Sequence, residues 1–320
     1  MASEPPVLVL RALGLGDLLT GIPALRGLRR LNPQRPLLLA APRVLGSWFV
    51  DLGLVDDVVV TDDLSGPPPG AHLGPHNAID LHGNGWPSRG LLEAAGPRSV
   101  LSFAPPAGHP DPAAHEPMWR RDEHEVLRWC RLVRFVGAEC GLDDLRVPEL
   151  PAARCGPGGP VLVHPGAASR SRRWPPERFA EVARALRAAG HDVVVTGGHA
   201  ERALAAHVVR LAGLPPSAST AGALDLPALA ALVADASLLV CGDTGVAHLA
   251  TAVGTPSVLL FGPIAPSQWG PAVDADRHVV LWRGDGTGDP HGNEPDPALL
   301  RIDVEEVLAA AHSMATVAVA

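Results

Sequence analysis

The segment Gly242-Asp243-Thr244-Gly245 ends an apolar run and is followed at once by an apolar stretch of helical character. This pattern predicts a buried strand that leads into the N-terminus of a helix. The open N–H groups and partial positive charge of such a terminus suit a phosphate group. Because a carboxylate repels phosphate, Asp243 is expected either to cap the helix or to hold sugar hydroxyls beside a diphosphate. A capped, buried helix without a ligand is the alternative.

A second segment, residues 164–175, has the sequence HPGAASRSRRWP and follows the strand candidate 161–163. Arg170, Arg172 and Arg173 precede a helix that is expected to open at the proline pair before Glu177, since proline is tolerated in a first helical turn. Guanidinium groups bind phosphate oxygens through paired hydrogen bonds. The arginines therefore indicate a diphosphate site, with a solvated basic loop as the alternative.

A third candidate lies near the N-terminus, where the strand candidate 7–10 is followed by RALGLGD and an amphipathic helix over residues 18–31. Gly14 and Gly16 allow a tight turn between strand and helix. Asp17 lies at the predicted helix start. It is expected to be either the N-cap or an exposed carboxylate at the mouth of a cleft.

A dinucleotide-binding fingerprint is excluded by spacing. After Gly14 and Gly16 the fingerprint requires glycine or alanine at position 19, which is Leu19, and no acidic residue ends a second strand about 20 residues further on. A nicotinamide-dependent enzyme is therefore disfavoured.

Composition sets the broad class. The chain has 320 residues, 47% of them hydrophobic, which favours two domains with substantial cores. The net charge of −8 argues against non-specific binding of nucleic acid. The first residues, MASEPP, lack the features of a signal peptide, so a cytoplasmic location is expected. The four cysteines show no CxxC spacing and are expected to be reduced thiols.

Strand and helix candidates alternate along the chain, which predicts an α/β fold with parallel sheets. The segment 141–160 is rich in proline and glycine and is the best linker candidate. Two similar halves joined by a hinge indicate a ligand between them, at the carboxyl ends of the strands. The acidic, turn-rich segment 284–297 lacks calcium-loop spacing and is predicted to be a surface loop.

Three motifs resemble glycosyltransferase family 9, the ADP-heptose:lipopolysaccharide heptosyltransferase type. They are LGLGDLLTGIPALRGLRR, HPGAASRSRRWPPERFAEVARAL and GDTGVAHLATAVGTPSVLLFGP, in the family's order. The resemblance covers about residues 7 to 310. It implies a GT-B fold, in which two Rossmann-like, doubly wound domains face a central cleft. Residues 1–150 would form the acceptor-binding domain and residues 151–320 the nucleotide-sugar domain. Packing of the final helix back on the first domain is left as an open alternative.

The resemblance also implies roles for single residues. Asp17 occupies the position of the family's catalytic base. Arg172 replaces a lysine that contacts donor phosphate, a change that keeps the charge and alters its geometry. The resemblance implies further donor-binding positions, and Arg173 lies beside one of them. These residues are Arg173, Glu201, Asp243, Thr244, Gly245 and His248. Glu201 is placed near a family residue that binds the nucleoside ribose, and an exposed glutamate at a helix start is the alternative.

The implied activity is an inverting, metal-independent transfer of a heptose-like sugar from a nucleotide-diphosphate donor, ADP-heptose first among them, to a hydroxyl of an acceptor. No metal site and no cofactor are expected. The expected partners are the donor and a glycan, lipid-linked or small-molecule acceptor, with a peripheral position at the inner membrane surface left open. The alternatives are a nucleotide-sugar-binding protein without transfer activity and a nucleotide-sugar epimerase of similar fold.

Overall fold

The computed structural model describes residues 4–104, 117–147 and 158–317, with side chains to residue 314. The chain divides into two compact units, Met1–Leu145 and Arg146–Ala320. Residues 148–157 of the predicted linker lie outside the described part, together with the expected boundary at 150 and Cys155. Cys130, Cys140 and Cys241 are buried free thiols, as expected.

Five strands and five α-helices lie in the described residues of the first unit. In chain order these are β1 (Val7–Leu10), α1 (Leu15–Thr20), α2 (Ile22–Leu31), β2 (Leu37–Ala41), α3 (Arg43–Asp51), β3 (Asp57–Val60), β4 (Asn77–Asp80), α4 (Trp86–Ala94), β5 (Val100–Leu101) and α5 (Glu125–Arg134). The sheet is parallel in the order β3-β2-β1-β4-β5. The order reverses between β1 and β4, where Leu10 lies opposite Asp80. Parallel α/β sheets bind ligands at such a reversal, outside the carboxyl ends of the strands.

The single helix predicted over residues 18–31 is wrong, because the structure has two helices separated at Gly21. Pro23 lies in the first turn of α2, a position where its missing N–H costs no hydrogen bond and its fixed φ favours a new helix start. The N-cap of α1 is Gly14, so the prediction of Asp17 as N-cap is also wrong. Asp17 lies in the first turn of α1, which its negative charge favours.

The second unit repeats the architecture with more helices. In chain order its elements are β6 (Val161–His164), α6 (Pro176–Ala188), β7 (Val193–Val195), α7 (Arg202–Ala212), α8 (Leu226–Asp235), β8 (Leu238–Gly242), α9 (Gly245–Val253), β9 (Ser257–Phe261), α10 (Pro266–Trp269), β10 (His278–Trp282), α11 (Pro297–Leu300) and α12 (Val304–Val317). The sheet is parallel in the order β10-β9-β8-β6-β7, so its reversal lies between β6 and β8. The edge strand β10 was not predicted from the sequence.

The core of the second unit forms between its sheet and the helices α6, α7 and α12. Strands β6, β8 and β9 are buried along their whole length, as expected for a parallel sheet that helices cover. The final helix α12 packs within this unit, where Val307, Ala311 and Met314 join the core. Its apolar face is therefore covered by the second unit's own sheet.

The predicted α/β class, with two parallel sheets of the doubly wound kind, is confirmed. Among the described residues, no helix combines the length and apolar character needed to cross a bilayer.

Candidate functional site

The candidate donor site of the second unit lies at the reversal between β6 and β8, where His164 is opposite Cys241. A short 3-10 turn, Arg170–Arg172, follows β6. Its backbone comes close to the backbone of Gly242 at the end of β8. A Cβ placed on Gly242 would lie only 2.9 Å from the carbonyl oxygen of Arg172. Glycine at position 242 therefore lets the arginine turn sit directly beside the Asp243 loop.

This approach brings Arg172 and Asp243 together, as the sequence predicted for a common site. Nη1 of Arg172 lies 3.5 Å from Oδ2 of Asp243, and the two side chains are 20% and 4% exposed. Arg173 takes a different direction, because its Nε donates a hydrogen bond of 2.8 Å to the carbonyl of Ala167 in its own loop. Of these two predicted arginines, Arg172 is therefore the one that contacts Asp243.

The N-terminus of α9 completes this part of the site. Thr244 is the N-cap and Gly245 the first helical residue, and both are half-buried. Asp243 is therefore not the cap. Its backbone still belongs to the sheet, since its N–H donates to the carbonyl of Leu260 in the neighbouring strand. A nine-residue helix that begins at the strand reversal directs its positive end toward the crevice.

His248 lies one turn inside α9 and is half-buried. Its ring packs edge-on against Trp269, with 5.6 Å between ring centroids. The predicted donor residues from Asp243 to His248 thus follow one another along the strand end and the first turn of α9.

Glu201 lies on the other side of β6, at the end of the 3-10 turn His199–Glu201 and directly before α7. Its Oε2 accepts a 2.7 Å hydrogen bond from the N–H of Gly198 and lies 3.8 Å from Nε2 of His164. The other ring nitrogen of His164 is 3.0 Å from Oγ1 of Thr196. Burial lowers the pKa of His164, so the imidazole is neutral near pH 7.

His164 and Gly166 also belong to this site, although neither was predicted from the sequence. A Cβ on Gly166 would lie 1.9 Å from Oε1 of Glu201, so the absence of a side chain makes room for the carboxylate. His164 ends the buried strand β6 and Gly166 lies two residues beyond it, beside the sheet reversal, and that position is the signal that could have identified them.

The acidic segment 284–297, predicted as a surface loop, holds the arginine turn in place. The N–H of Ser171 donates to the carbonyl of Gly292, and the N–H of Asp296 donates to the carbonyl of Ser171, both at 3.1 Å. The Asp296 side chain in turn accepts from the N–H of Ala298 and caps α11. The loop therefore stabilises the backbone that carries Arg172.

Asp17 lies in the first unit, at the crevice that begins where β1 ends. The residue is half-buried, and its carbonyl oxygen accepts a 2.8 Å hydrogen bond from Oγ1 of Thr20. Its Oδ2 lies 3.5 Å from the position that a Cβ of the exposed Gly14 would take. The carboxylate therefore lies beside the exposed turn residue Gly14, and its place at the mouth of a cleft stays a prediction.

Asp80 is the last residue of β4 and His82 follows it, at the reversal of the first sheet between β1 and β4. Burial raises the pKa of Asp80 to about 6, although Ser88 and the backbone N–H of His82 donate hydrogen bonds to its carboxylate. Burial likewise lowers the pKa of His82 to about 4. Asp80 was not predicted from the sequence, and the signal that could have identified it is again a polar residue at the end of a buried strand.

Comparisons with known proteins bear on the family and the fold of the chain. Residues 147–287 match the family model Glycosyltransferase family 9 (heptosyltransferase). Lipopolysaccharide heptosyltransferase 3 of Escherichia coli is 33% identical over 127 residues, which are 39% of this chain and 37% of that protein. The chain thus matches little more than a third of the length of this curated relative.

Solved structures extend the likeness to the whole chain at the level of the fold. A glycosyl transferase family 9 protein from Veillonella parvula superposes with a TM-score of 0.77 at 21% identity and covers 99% of this chain and 98% of its own. The ADP-heptose lps heptosyltransferase II of E. coli superposes with a TM-score of 0.73 at 19% identity, covering 97% and 98%. The GT-B fold expected from the sequence is confirmed.

The second unit is thus similar in sequence to glycosyltransferase family 9 over residues 147–287, and the whole chain shares the fold of the solved family 9 and heptosyltransferase structures.

Proposed function

We propose that the protein is an inverting, metal-independent glycosyltransferase that moves a heptose from ADP-heptose to a hydroxyl of a lipopolysaccharide-core type of glycan. The observation that carries this proposal is the contact between Arg172 and Asp243 beside the N-terminus of α9. It combines a cation, a helix terminus and a hydroxyl-binding carboxylate at one sheet reversal. Two of the proteins named above, both from E. coli, are heptosyltransferases and support the choice of sugar.

The donor diphosphate is assigned to the arginine turn and the start of α9. Arg172 supplies a delocalised charge that matches phosphate geometry, and the N–H groups of Thr244 and Gly245 supply dipole and hydrogen bonds. Arg173 adds positive charge from the same turn. As the sugar–phosphate bond breaks, negative charge accumulates on the diphosphate, and these groups stabilise it without a metal ion.

The remaining donor contacts follow from the carboxylates. Asp243 accepts hydrogen bonds from sugar hydroxyls, with His248 one helical turn away. Glu201 accepts hydrogen bonds from the ribose, because it is supported by the Gly198 N–H and lies in the space left by Gly166. Both assignments use carboxylates as acceptors for paired hydroxyl groups.

Asp17 is assigned as the general base. In the proposed reaction the acceptor hydroxyl attacks the anomeric carbon from the face opposite the diphosphate, and Asp17 takes its proton. The configuration at that carbon is inverted in one displacement. General-base assistance of this kind contributes roughly 10²–10⁴-fold to the rate.

The same proposal assigns residues 1–150 to the acceptor and residues 151–320 to the donor. The acceptor is a cell-surface glycan or its lipid-linked precursor, and the enzyme acts in the cytoplasm, at the inner membrane surface when the acceptor is lipid-linked. His82, Asn84 and Trp86, which follow β4, are candidate acceptor contacts.

The proposal is tested by calorimetry with ADP-, GDP- and UDP-sugars, followed by a transfer assay with the donor that binds. We expect ADP-heptose to bind and to be transferred in the presence of EDTA, with inversion at the anomeric carbon by proton NMR of the product. Binding without transfer to any core glycan would favour a nucleotide-sugar-binding protein. An epimerised free nucleotide sugar in the absence of acceptor would favour an epimerase, and binding of a nicotinamide cofactor instead would overturn the family 9 function.

A further inference from the structure

Arg11 is the first residue after β1 and one of the largest buried side chains of the protein, with 2% of its surface exposed. A buried guanidinium is unfavourable unless its donors are satisfied. Here its Nε donates to the carbonyl of Asp17 and its Nη1 to the carbonyl of Leu81. Its Nη2 donates to Oγ1 of Thr20 at 2.9 Å and to Oε1 of Glu125 at 3.2 Å.

These partners come from three separate parts of the first unit. Asp17 and Thr20 belong to α1, Leu81 directly follows β4, and Glu125 begins α5. The guanidinium also lies over the ring of Trp129, 4.8 Å from its centroid. Because the planar fork fixes the directions of its N–H bonds, one side chain sets the position of α1 relative to the strand ends and α5.

The contacts around Asp17 form a closed set. Thr20 accepts a hydrogen bond from Arg11, and its hydroxyl donates to the carbonyl of Asp17, which Arg11 also contacts. Two side chains, Arg11 and Thr20, therefore donate to the carbonyl of Asp17, and Arg11 also orients the hydroxyl of Thr20. Gly21 gives this arrangement room, since a Cβ there would lie 3.1 Å from Cδ of Arg11.

Glu125 balances the buried charge and links Arg11 to a second arginine. Arg128, 5% exposed, pairs with Oε2 of Glu125, while Nε1 of Trp129 donates to Oε1 at 2.8 Å. Arg128 otherwise bonds to backbone carbonyls that include Glu123 and lies over the ring of Trp119. The two arginines thus share one carboxylate and comparable burial, but Arg11 is the one that contacts the Asp17 turn.

We propose that Arg11 is a positioning residue for catalysis, which holds the carboxylate of Asp17 at the angle that proton abstraction requires. This inference rests on the proposed function, in which Asp17 is the general base. Arg11 itself touches neither donor nor acceptor. Its effect is on the precision with which the carboxylate is presented, and misplacement by about 1 Å lowers rates on the order of 10²-fold.

The test compares R11M and R11K with R128M, a matched control that removes the other buried arginine of the same carboxylate. Each variant is measured for thermal midpoint, for calorimetric affinity toward ADP, and for kcat and KM with ADP-heptose and the core glycan. Backbone amide hydrogen exchange over residues 14–21 is followed in parallel. Because ADP is assigned to the other unit, its affinity reports on the integrity of the donor site.

We expect R11M to lose on the order of 10²-fold in kcat, with unchanged ADP affinity and faster exchange over residues 14–21. R11K is expected to recover little, because one ammonium group cannot reproduce the fork. R128M is expected to lower the thermal midpoint while keeping kcat and slow exchange in residues 14–21.

Two results would overturn the role of Arg11: equal loss of kcat in R11M and R128M at equal loss of stability, or wild-type turnover in R11K. If the wild-type protein transfers no sugar, the proposed function fails. Amide hydrogen exchange over residues 14–21 still decides whether Arg11 holds the Asp17 turn. Unchanged exchange in R11M would then refute the inference by itself.

Discussion

Nη1 of Arg172 lies 3.5 Å from Oδ2 of the nearly buried Asp243, at the edge of the second sheet where the N-terminus of α9 begins. This contact resolves the conflict between a carboxylate and a phosphate in one loop. The arginine compensates the charge of Asp243, and its side chain remains one-fifth exposed. An anion site can therefore exist beside an acidic residue.

Removal of the Arg172 charge is expected to weaken donor binding. Hydrogen bonds to charged groups contribute about 1.5–3 kcal/mol, so R172M should weaken ADP affinity by roughly 10- to 150-fold. R172K should keep part of the affinity, because it retains the charge without the paired geometry. Isothermal titration with ADP measures both effects.

The control for these variants is R184M, which removes an arginine of α6 whose bond goes to the exposed carbonyl of Leu211. It should bind ADP like the wild type. If R172M binds ADP normally, the diphosphate lies elsewhere.

Loss of the Asp17 carboxylate should affect turnover and leave donor binding intact. We expect D17N to lower kcat by roughly 10²–10⁴-fold, the usual contribution of general-base catalysis. Its ADP affinity should equal that of the wild type, because the donor residues belong to the second unit. Steady-state kinetics and calorimetry test the two halves of this expectation, and full activity in D17N would remove Asp17 from the mechanism.

A methyl group at position 166 should displace Glu201 without disturbing the fold. The Cβ of G166A would lie 1.9 Å from Oε1 of Glu201, and the flexible side chain can move away. If Glu201 binds the ribose, the KM for the donor rises while the thermal midpoint changes little.

The matched control is G198A, whose Cβ would lie 3.5 Å from Oε2 of the same glutamate, an ordinary contact distance. It should keep the wild-type KM. Equal effects of the two substitutions would show that the response does not depend on the Glu201 carboxylate.

His278 should make the protein less stable in acid. Burial lowers its pKa from 6.5 to about 4, and Oγ of Ser257 contacts its Nδ1 at 2.8 Å. Between these two values the unfolded chain binds a proton that the folded state does not, so stability falls as pH falls from 6.5 to 4, by ~3 kcal/mol in all. Urea unfolding of wild type and H278N at several pH values should show a smaller acid loss in the variant, and parallel curves would contradict the assignment.

Asp80 should act in the opposite direction. Its folded pKa of about 6 lies above its ordinary 3.8, chiefly because of burial. The folded state therefore holds a proton that the unfolded chain releases, and this contribution is complete below pH 3.8 and is lost as pH rises through 6. In D80N the contribution disappears, so the unfolding free energy of D80N minus that of the wild type should increase across this window, by ~3 kcal/mol. A difference that is independent of pH would refute the raised pKa.

Much of the site could be predicted from local sequence. Residues 243–248 are contiguous, so a strand end followed by a helix start places them together whatever the rest of the chain does. The same holds for Asp17, since its strand, glycine turn and helix are covalent neighbours. Strand β10 was not predicted although its sequence HVVLW contains an apolar run; it lies at the edge of the sheet, and four of its five residues are only half-buried.

The pairings that orient these residues depend on strand order, which local patterns do not contain. Arg11 and Glu125 are 114 positions apart, and His164 and Thr196 are 32 positions apart. The first pair meets because α5 packs within the first unit, against α2, and the second pair meets because β6 lies beside β7 in the folded sheet. Local hydrophobic spacing thus determines which residues end the strands, whereas the packing of distant strands and helices decides which charge each of them meets and whether it is buried.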